Sequence, residues 1–235
     1  MWWFAALHAN LLTLYGRAGG ADDRAGRVLD AGCGTGGLLA RIAWRYPQRD
    51  AVGIDADRLA CRRARQKSGR PVCAGSVSAL PFADAAFSAI FSADVLCHRD
   101  VDERDALAQF HRCLGAEGLL ILNLPAYRWM MSRHDAAVYN ARRYTRGGVV
   151  ALLRAAGFRP LFAGYWNMLL FPLMVATRKL LPGSAESDVK PQPAVVEAIG
   201  RAATRIENVL LRAGIPLPFG GSVLVVAAKI ESAHA

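Results

Sequence analysis

Between residues 27 and about 124, short apolar runs alternate with amphipathic helical patterns, and this alternation constrains the fold more than any other feature of the chain. The runs are "VLD" (28–30), "AVGID" (51–55), "RPVCAGS", "FSAIFSADVL" (87–96) and "GLLILNLP" (118–125). Between them lie a basic helix over 58–67 and "DERDALAQFHRCL", which keeps Ala106, Leu107, Phe110, Cys113 and Leu114 on one face. Parallel strands need a crossover, so this order predicts an α/β fold, a parallel sheet with helices on both faces. Further on, Thr145 is placed to cap a helix that Gly157 closes, and "FRPLFAGYW" and "GSVLVVAAKI" (221–230) read as two more strands. The interval between these two strands holds "NMLLFPLMVATRKLLPG", a polar stretch over 184–193, and a stripe of Val195, Val196, Ile199, Ala202, Ala203, Ile206, Val209, Leu210 and Ala213. That stripe predicts one amphipathic helix, and the interval reads as a helical insertion lying on the sheet.

The first apolar run leads into glycine. In "RVLDAGCGTGGLLARIA" (27–43), glycines 32, 34, 36 and 37 stand between a strand and the helical pattern of Leu38, Leu39, Ile42 and Ala43, as in turns that bind nucleotide cofactors. The spacing fits two cofactors, since Gly32, Gly34 and Gly37 make G-x-G-x-x-G while Gly32, Gly34 and Gly36 make G-x-G-x-G. Asp30 precedes the turn, and a carboxylate there repels a pyrophosphate and attracts an ammonium or sulfonium. S-adenosylmethionine is therefore the expected cofactor, with S-adenosylhomocysteine as product. Asp55, ending the second strand, can accept both ribose hydroxyls in either case and does not discriminate.

At 235 residues the chain suffices for one sizeable core, and 53% hydrophobic with 20% charged residues excludes a disordered chain. The expected organisation is a single domain over 1–235: an N-terminal helix in 1–26, a core in 27–166 and 221–235, and the insertion in 167–220. A formal charge of +10 suits an anionic partner (a phosphorylated small molecule, an anionic membrane surface or RNA) or a solvated arginine-rich surface. Cysteines 33, 61, 73, 97 and 113 form no C-x-x-C pair and no metal-ligand spacing, so free thiols and no metal site are expected. The apolar start raises a signal peptide, but no basic residue precedes Arg17 and His8 and Asn10 interrupt the run. Trp3, Leu7, Leu11, Leu14 and Tyr15 recur at helical spacing, which predicts a helix covering the sheet or guarding the site. No stretch reaches the roughly 18 to 20 apolar residues of a spanning helix. The expected location is the cytoplasm.

"VLDAGCGTGG", "VGIDAD", "GSVSALPFADAAFSAIFSADVLCH" and "FHRCLGAEGLLIL" together resemble the ordered motifs of the class I S-adenosylmethionine-dependent methyltransferases. The resemblance implies a Rossmann-like, doubly wound seven-stranded sheet whose last strand inserts antiparallel beside the sixth. It also implies cofactor contacts from Asp30, Gly32, Cys33, Gly34, Gly36, Asp55, Ala56, Ser76, Val77 and Asp94. Ser76 stands where many members carry an acid beside the adenine, and Ala116-Glu117 replaces Pro-Gly in the last motif.

Past the fifth strand, "PAYRWMMSRHDAAVYNARRYT" concentrates polar and aromatic residues where an acceptor should sit. Adjacent His134 and Asp135 suit a base and its orienter, and Arg142 and Arg143 suit an anionic acceptor. The segment resembles a bacterial, type 11-like methyltransferase subgroup with an H-D-x(4)-H-x-R-R-Y signature, with Asn140 in place of the second histidine. The candidate catalytic residues are His134, Asp135, Arg143 and Tyr144; the candidate substrate-binding residues are Tyr127, Arg142 and His98. The alternative is that His134, Asp135, Arg143 and Tyr144 form a polar network bracing a lid. The expected function is methyl transfer to a small-molecule or lipid- or glycan-linked acceptor. RNA methylation and a non-catalytic cofactor-binding subunit are the alternatives, though no RNA-binding module is visible. Peripheral membrane contact through 167–181 and a homodimer are further expectations.

Overall fold

The computed structural model of the chain describes residues 2–20, 26–180 and 194–230. Helix α1 (Trp2–Tyr15) precedes β1 (Val28–Ala31), α2 (Gly37–Arg45), β2 (Ala51–Asp55), α3 (Arg58–Ser68), β3 (Val72–Ala74) and β4 (Phe87–Ala93). Then follow α4 (Glu103–Cys113), β5 (Leu114–Pro125), the short α5 (Arg133–Ala137), α6 (Arg146–Ala155), β6 (Phe158–Trp166), α7 (Phe171–Leu180), α8 (Ala194–Arg212) and β7 (Ser222–Lys229). The strands form one seven-stranded sheet in the order β3-β2-β1-β4-β5-β7-β6, with β7 antiparallel to both β5 and β6. β1 is parallel to β2 and β4, and the parallel set continues through β3 and β5. The doubly wound sheet with a reversed last strand is the one the sequence motifs imply.

Both faces of the sheet are covered, which is why its central strands read as continuous apolar runs. On one face Leu7, Leu11, Leu14 and Tyr15 of α1 pack with Leu38, Leu39 and Ile42 of α2 and Cys61 and Ala64 of α3. On the other, Ala106, Leu107 and Phe110 of α4 and Val149 and Leu153 of α6 close over Leu29, Ile90, Leu120 and Val225. Helix starts follow the capping rule: Asp57, Asp102 and Thr145 each accept backbone N–H groups with the side chain.

Three elements differ from the sequence reading. The third strand is only three residues long, and the fifth begins at Leu114, earlier than its apolar run, because Leu114 pairs with Phe87 before a bulge. The larger difference is α8. Its apolar stripe points away from the sheet: Val195, Val196, Ile199, Ile206 and Val209 are exposed, while Gly200, Ala203, Thr204, Glu207 and Leu211 are buried. Small residues on the inward side let the helix lie close to α1, where a Cβ at Gly200 would stand 2.5 Å from the Trp2 ring. The polar stretch over 184–193 lies outside the described residues.

Candidate active site

Parallel strands of a doubly wound sheet present their carboxyl ends to one crevice, where ligands bind. Asp30 near the end of β1, Asp55 at the end of β2, Asp94 after β4 and Asn123 near the end of β5 all arrive at that edge. A cavity of about 500 Å³ opens at the opposite edge, lined by Arg27, Arg49, Ser88 and Glu117. It meets the amino ends of β1 and β4, away from the crevice where ligands of such sheets bind.

The glycine turn is built by left-handed backbone. Gly32, Gly34 and Gly36 have φ of 81°, 52° and 79°, a region that costs other residues steric strain. A Cβ at Gly32 would stand 2.2 Å from Cγ2 of Val95, and one at Gly36 would stand 2.6 Å from the backbone of Ala64 on α3. A Cβ at Gly34 would meet nothing within 4 Å, so its outward side is open to a ligand. The backbone N–H of Gly34 donates to Asp55 Oδ2 at 2.7 Å, and that of Asp57 donates to Oδ1 at 2.9 Å. Asp55 thus holds the turn in shape from β2. Cys33 turns its thiol into the core against Gly53.

Asp30 is buried, and its Oδ2 has no hydrogen-bond partner. Burial pushes its carboxyl up to about 7, against the Leu39 N–H, and neighbouring Asp55 adds to the rise. A buried carboxyl with a free oxygen is costly unless a cation or donor meets it. His8 on α1 stands over the same turn, with ring Cε1 2.9 Å from the position of a Cβ on Gly37. Burial, then Arg41 and Lys67, lower its pKa to about 4, so it is neutral at pH 7. Ala56 and Ser76 lie on the exposed rim, with Ser76 Oγ accepting from the Ser78 N–H at 3.1 Å, and Val77 packs beneath.

Asp94 adopts φ +57°, rare for a residue with a side chain. Its Oδ1 accepts from Asn123 Nδ2 at 2.8 Å, and Asn123 Oδ1 in turn accepts from Trp166 Nε1 at 2.7 Å. Burial raises Asp94 to about 7, with Asn123 and Arg143 pulling it back. A carboxyl poised near neutrality at a strand end has the acidity of a general base.

The segment after β5 is a polar clamp. Arg143 donates through Nε to Asp135 Oδ1 at 2.9 Å and through Nη1 to the Ala126 carbonyl at 2.9 Å. Both side chains of this pair are almost fully buried, at 4% and 1% exposure. Ser132 donates to Asp135 Oδ2 from N at 2.8 Å and from Oγ at 3.0 Å. Burial alone would raise the Asp135 carboxyl; Arg143 and Ser132 outweigh it and hold it below the ordinary range. Arg142 donates to the carbonyls of Leu96, His98 and Val101, and Tyr144 Oη donates its one proton to Glu103 at 2.8 Å, with the Leu96 carbonyl 3.0 Å away. His98 bridges Asn140 through backbone. Of the two guanidiniums expected to hold an anion, that of Arg142 ties this segment to the loop after β4 and that of Arg143 ties it to Asp135 and the Ala126 carbonyl; the His134 side chain lies outside the described residues.

Sequence reading named Tyr127 as a substrate residue but missed the aromatic ledge that Tyr165, Phe171 and Phe219 build around it. Tyr127, at φ +58°, stacks on Tyr165 with ring centroids 5.2 Å apart and on Trp129 at 5.6 Å. Phe171 lies 5.5 Å from Tyr127 and 6.0 Å from Phe219. The rings come from four separate stretches of chain, so no local pattern announces them. Asn123 carried a signal: a lone polar residue inside "GLLILNLP". Among the described residues, no group of three or more His, Cys, Asp or Glu is placed to hold a metal ion.

This sheet order, with its reversed strand and glycine turn, defines the class I S-adenosylmethionine-dependent methyltransferase fold. Residues 28–118 match the family model described as "Methyltransferase domain". Malonyl-acyl-carrier-protein O-methyltransferase of Geobacter sulfurreducens is 30% identical over 149 residues, 57% of this chain and 55% of that protein. A 24-methylenesterol C-methyltransferase of Oryza sativa is 32% identical over 111 residues, 44% of this chain and 29% of that protein. The chain spans about half the length of the first curated relatives it matches. Among solved structures, a methyltransferase from Thermotoga maritima superposes with a TM-score of 0.59 at 18% identity, covering 97% of this chain and 93% of that one. Geranyl diphosphate C-methyltransferase from Streptomyces coelicolor superposes at 0.57 and 15% identity, covering 92% and 77%.

Proposed function

We propose that the chain is an S-adenosylmethionine-dependent methyltransferase for a small acceptor with a substantial apolar part, which includes lipid- or glycan-linked molecules. The observation that carries the cofactor assignment is Asp30, a buried carboxyl with an unpartnered oxygen beside a glycine turn open at Gly34. S-adenosylmethionine, when bound, supplies a methyl group on a sulfonium, electrophilic at carbon. Asp30 would take its ammonium or sulfonium charge, the turn its sugar, and the rim at Ala56, Ser76 and Val77 its adenine. Support for the acceptor class comes from the aromatic ledge and from relatives whose names specify small or lipid-like molecules.

On this reading Asp94 would take the proton from the acceptor's nucleophilic atom, leaving that atom free to receive the methyl group the bound cofactor would supply. Asn123 and Trp166 hold Asp94 in place. The Arg143 and Asp135 pair fixes the segment that carries Tyr127 and Trp129 over the reacting atoms, excluding water.

Three measurements test this. S-adenosylmethionine or S-adenosylhomocysteine should raise the melting temperature of the chain and not that of Asp30→Ala; stabilisation by a nicotinamide dinucleotide would overturn the cofactor. Methyl-labelled cofactor incubated with cell extract should leave label in an organic-extractable fraction, whereas label confined to RNA or protein would overturn the acceptor class. Asp94→Asn should lower kcat at least about 100-fold with little change in cofactor binding, the range typical of a lost general base.

A further inference from the structure

Helix α8 turns both of its glutamates and several small residues inward and exposes most of its large apolar ones. On its inward side Glu207 accepts backbone N–H groups of Asn167 at 2.6 Å and Leu169 at 2.8 Å, and Asn208 donates to Asn10 of α1 at 2.8 Å. Glu197 faces the start of α1 and accepts from the Trp2 N–H at 3.2 Å. On the outward side Val195, Ile199, Ile206 and Val209 are 69%, 55%, 58% and 63% exposed. At helical pitch these four fall within an arc of about 80°, with Ala202 among them. Arg201, Arg205 and Arg212 occupy an arc of about 40° along one border of that stripe. All three are exposed, and Arg201 also reaches Glu197 at 3.1 Å. Both glutamates of the helix are turned inward and engaged, so its outward half offers apolar side chains and cations and no carboxylate.

A continuous exposed stripe of this kind marks a contact surface. A second copy docked by twofold symmetry would bring the same face, with its arginines and no acid to meet them. A lipid surface with anionic headgroups matches both components, and the formal charge of +10 favours approach to it. No helix among the described residues is long and apolar enough to cross a membrane, so the contact is in the plane of the interface.

We propose that α8 docks on an anionic lipid surface, Val195, Ile199, Ile206 and Val209 entering the acyl boundary while Arg201, Arg205 and Arg212 meet headgroup phosphates. This surface is separate from the cofactor crevice, and the proposal holds whether or not the acceptor assignment does. Glu207 links the two regions, because the backbone it holds at Asn167 and Leu169 leads into Phe171 of the ledge.

Flotation of the full chain with vesicles tests the proposal. Vesicles of phosphatidylcholine containing a third phosphatidylglycerol should carry the protein at least about tenfold better than phosphatidylcholine alone, and raised ionic strength should release it. The double variant Ile199→Ser, Ile206→Ser and the variant Arg205→Glu should each lower binding about tenfold with an unchanged melting temperature, since all three side chains are exposed. Equal binding to both vesicle types, or binding to neither, would overturn it. So would a dimer in sedimentation velocity that Ile206→Ser dissociates, which would assign the stripe to a second copy. The wild-type dependence on lipid charge and salt decides the matter even if a variant fails to fold.

Discussion

At Asp30 the cost of burial and the chemistry of the site are the same fact. Its pKa near 7 lies above the ordinary 3.8, so between about pH 4 and 7 the folded chain holds a proton that the unfolded chain has released. The stability tied to that proton is complete at pH 4 and is lost as pH rises through 7. Asp30→Asn keeps the neutral form at every pH, so thermal melts should show the variant gaining on the parent from pH 4 to pH 8. Asp94 has the same sign and His8 the opposite, and both cancel in the difference. Gly32 and Glu117 both hold left-handed backbone, which strains only the residue with a side chain. Gly32→Ala should cost about 1–3 kcal/mol in urea unfolding, because both φ and the Val95 contact oppose a Cβ. Glu117, at φ +53°, sits where the family motif has glycine, a departure legible in sequence whose strain is visible only in the backbone.

At the scale of elements, the clamp after β5 depends on one buried ion pair. Arg143→Met leaves Asp135 charged in a dry setting and should cost about 3–5 kcal/mol, read from denaturant unfolding. Asp50→Asn, which breaks the half-exposed pair with Arg27, should cost no more than about 1 kcal/mol. Sequence showed two neighbouring arginines and left open whether they meet an anionic acceptor or a polar network within the segment. Their partners, the carbonyls of residues 96–101 and the Asp135 carboxylate, are set by how the segment folds back on the loop after β4. The amphipathic character of α8 was legible from its spacing, but its orientation was not. Periodicity defines an apolar face without saying what lies opposite it, and the anchors of Glu207 are backbone groups some forty residues away.

For the whole molecule, the sheet's centre and its edges should differ in stability. Amides of β4, β5 and β7, hydrogen-bonded on both sides and covered on both faces, should be the last to exchange with deuterium, and those of α7 among the first. Uniform protection would contradict this. What the sequence by itself determined is the order of strands and helices, the glycine turn and the acids at the strand ends. These rest on local rules: alternation needs crossovers, left-handed turns need glycine, and a carboxylate selects a cation. Tertiary structure alone decided which buried carboxyls stay near neutrality, which rings gather beyond β5, and which face of α8 meets solvent. Each depends on the burial and charge contributed by residues distant in the chain, which no local window contains.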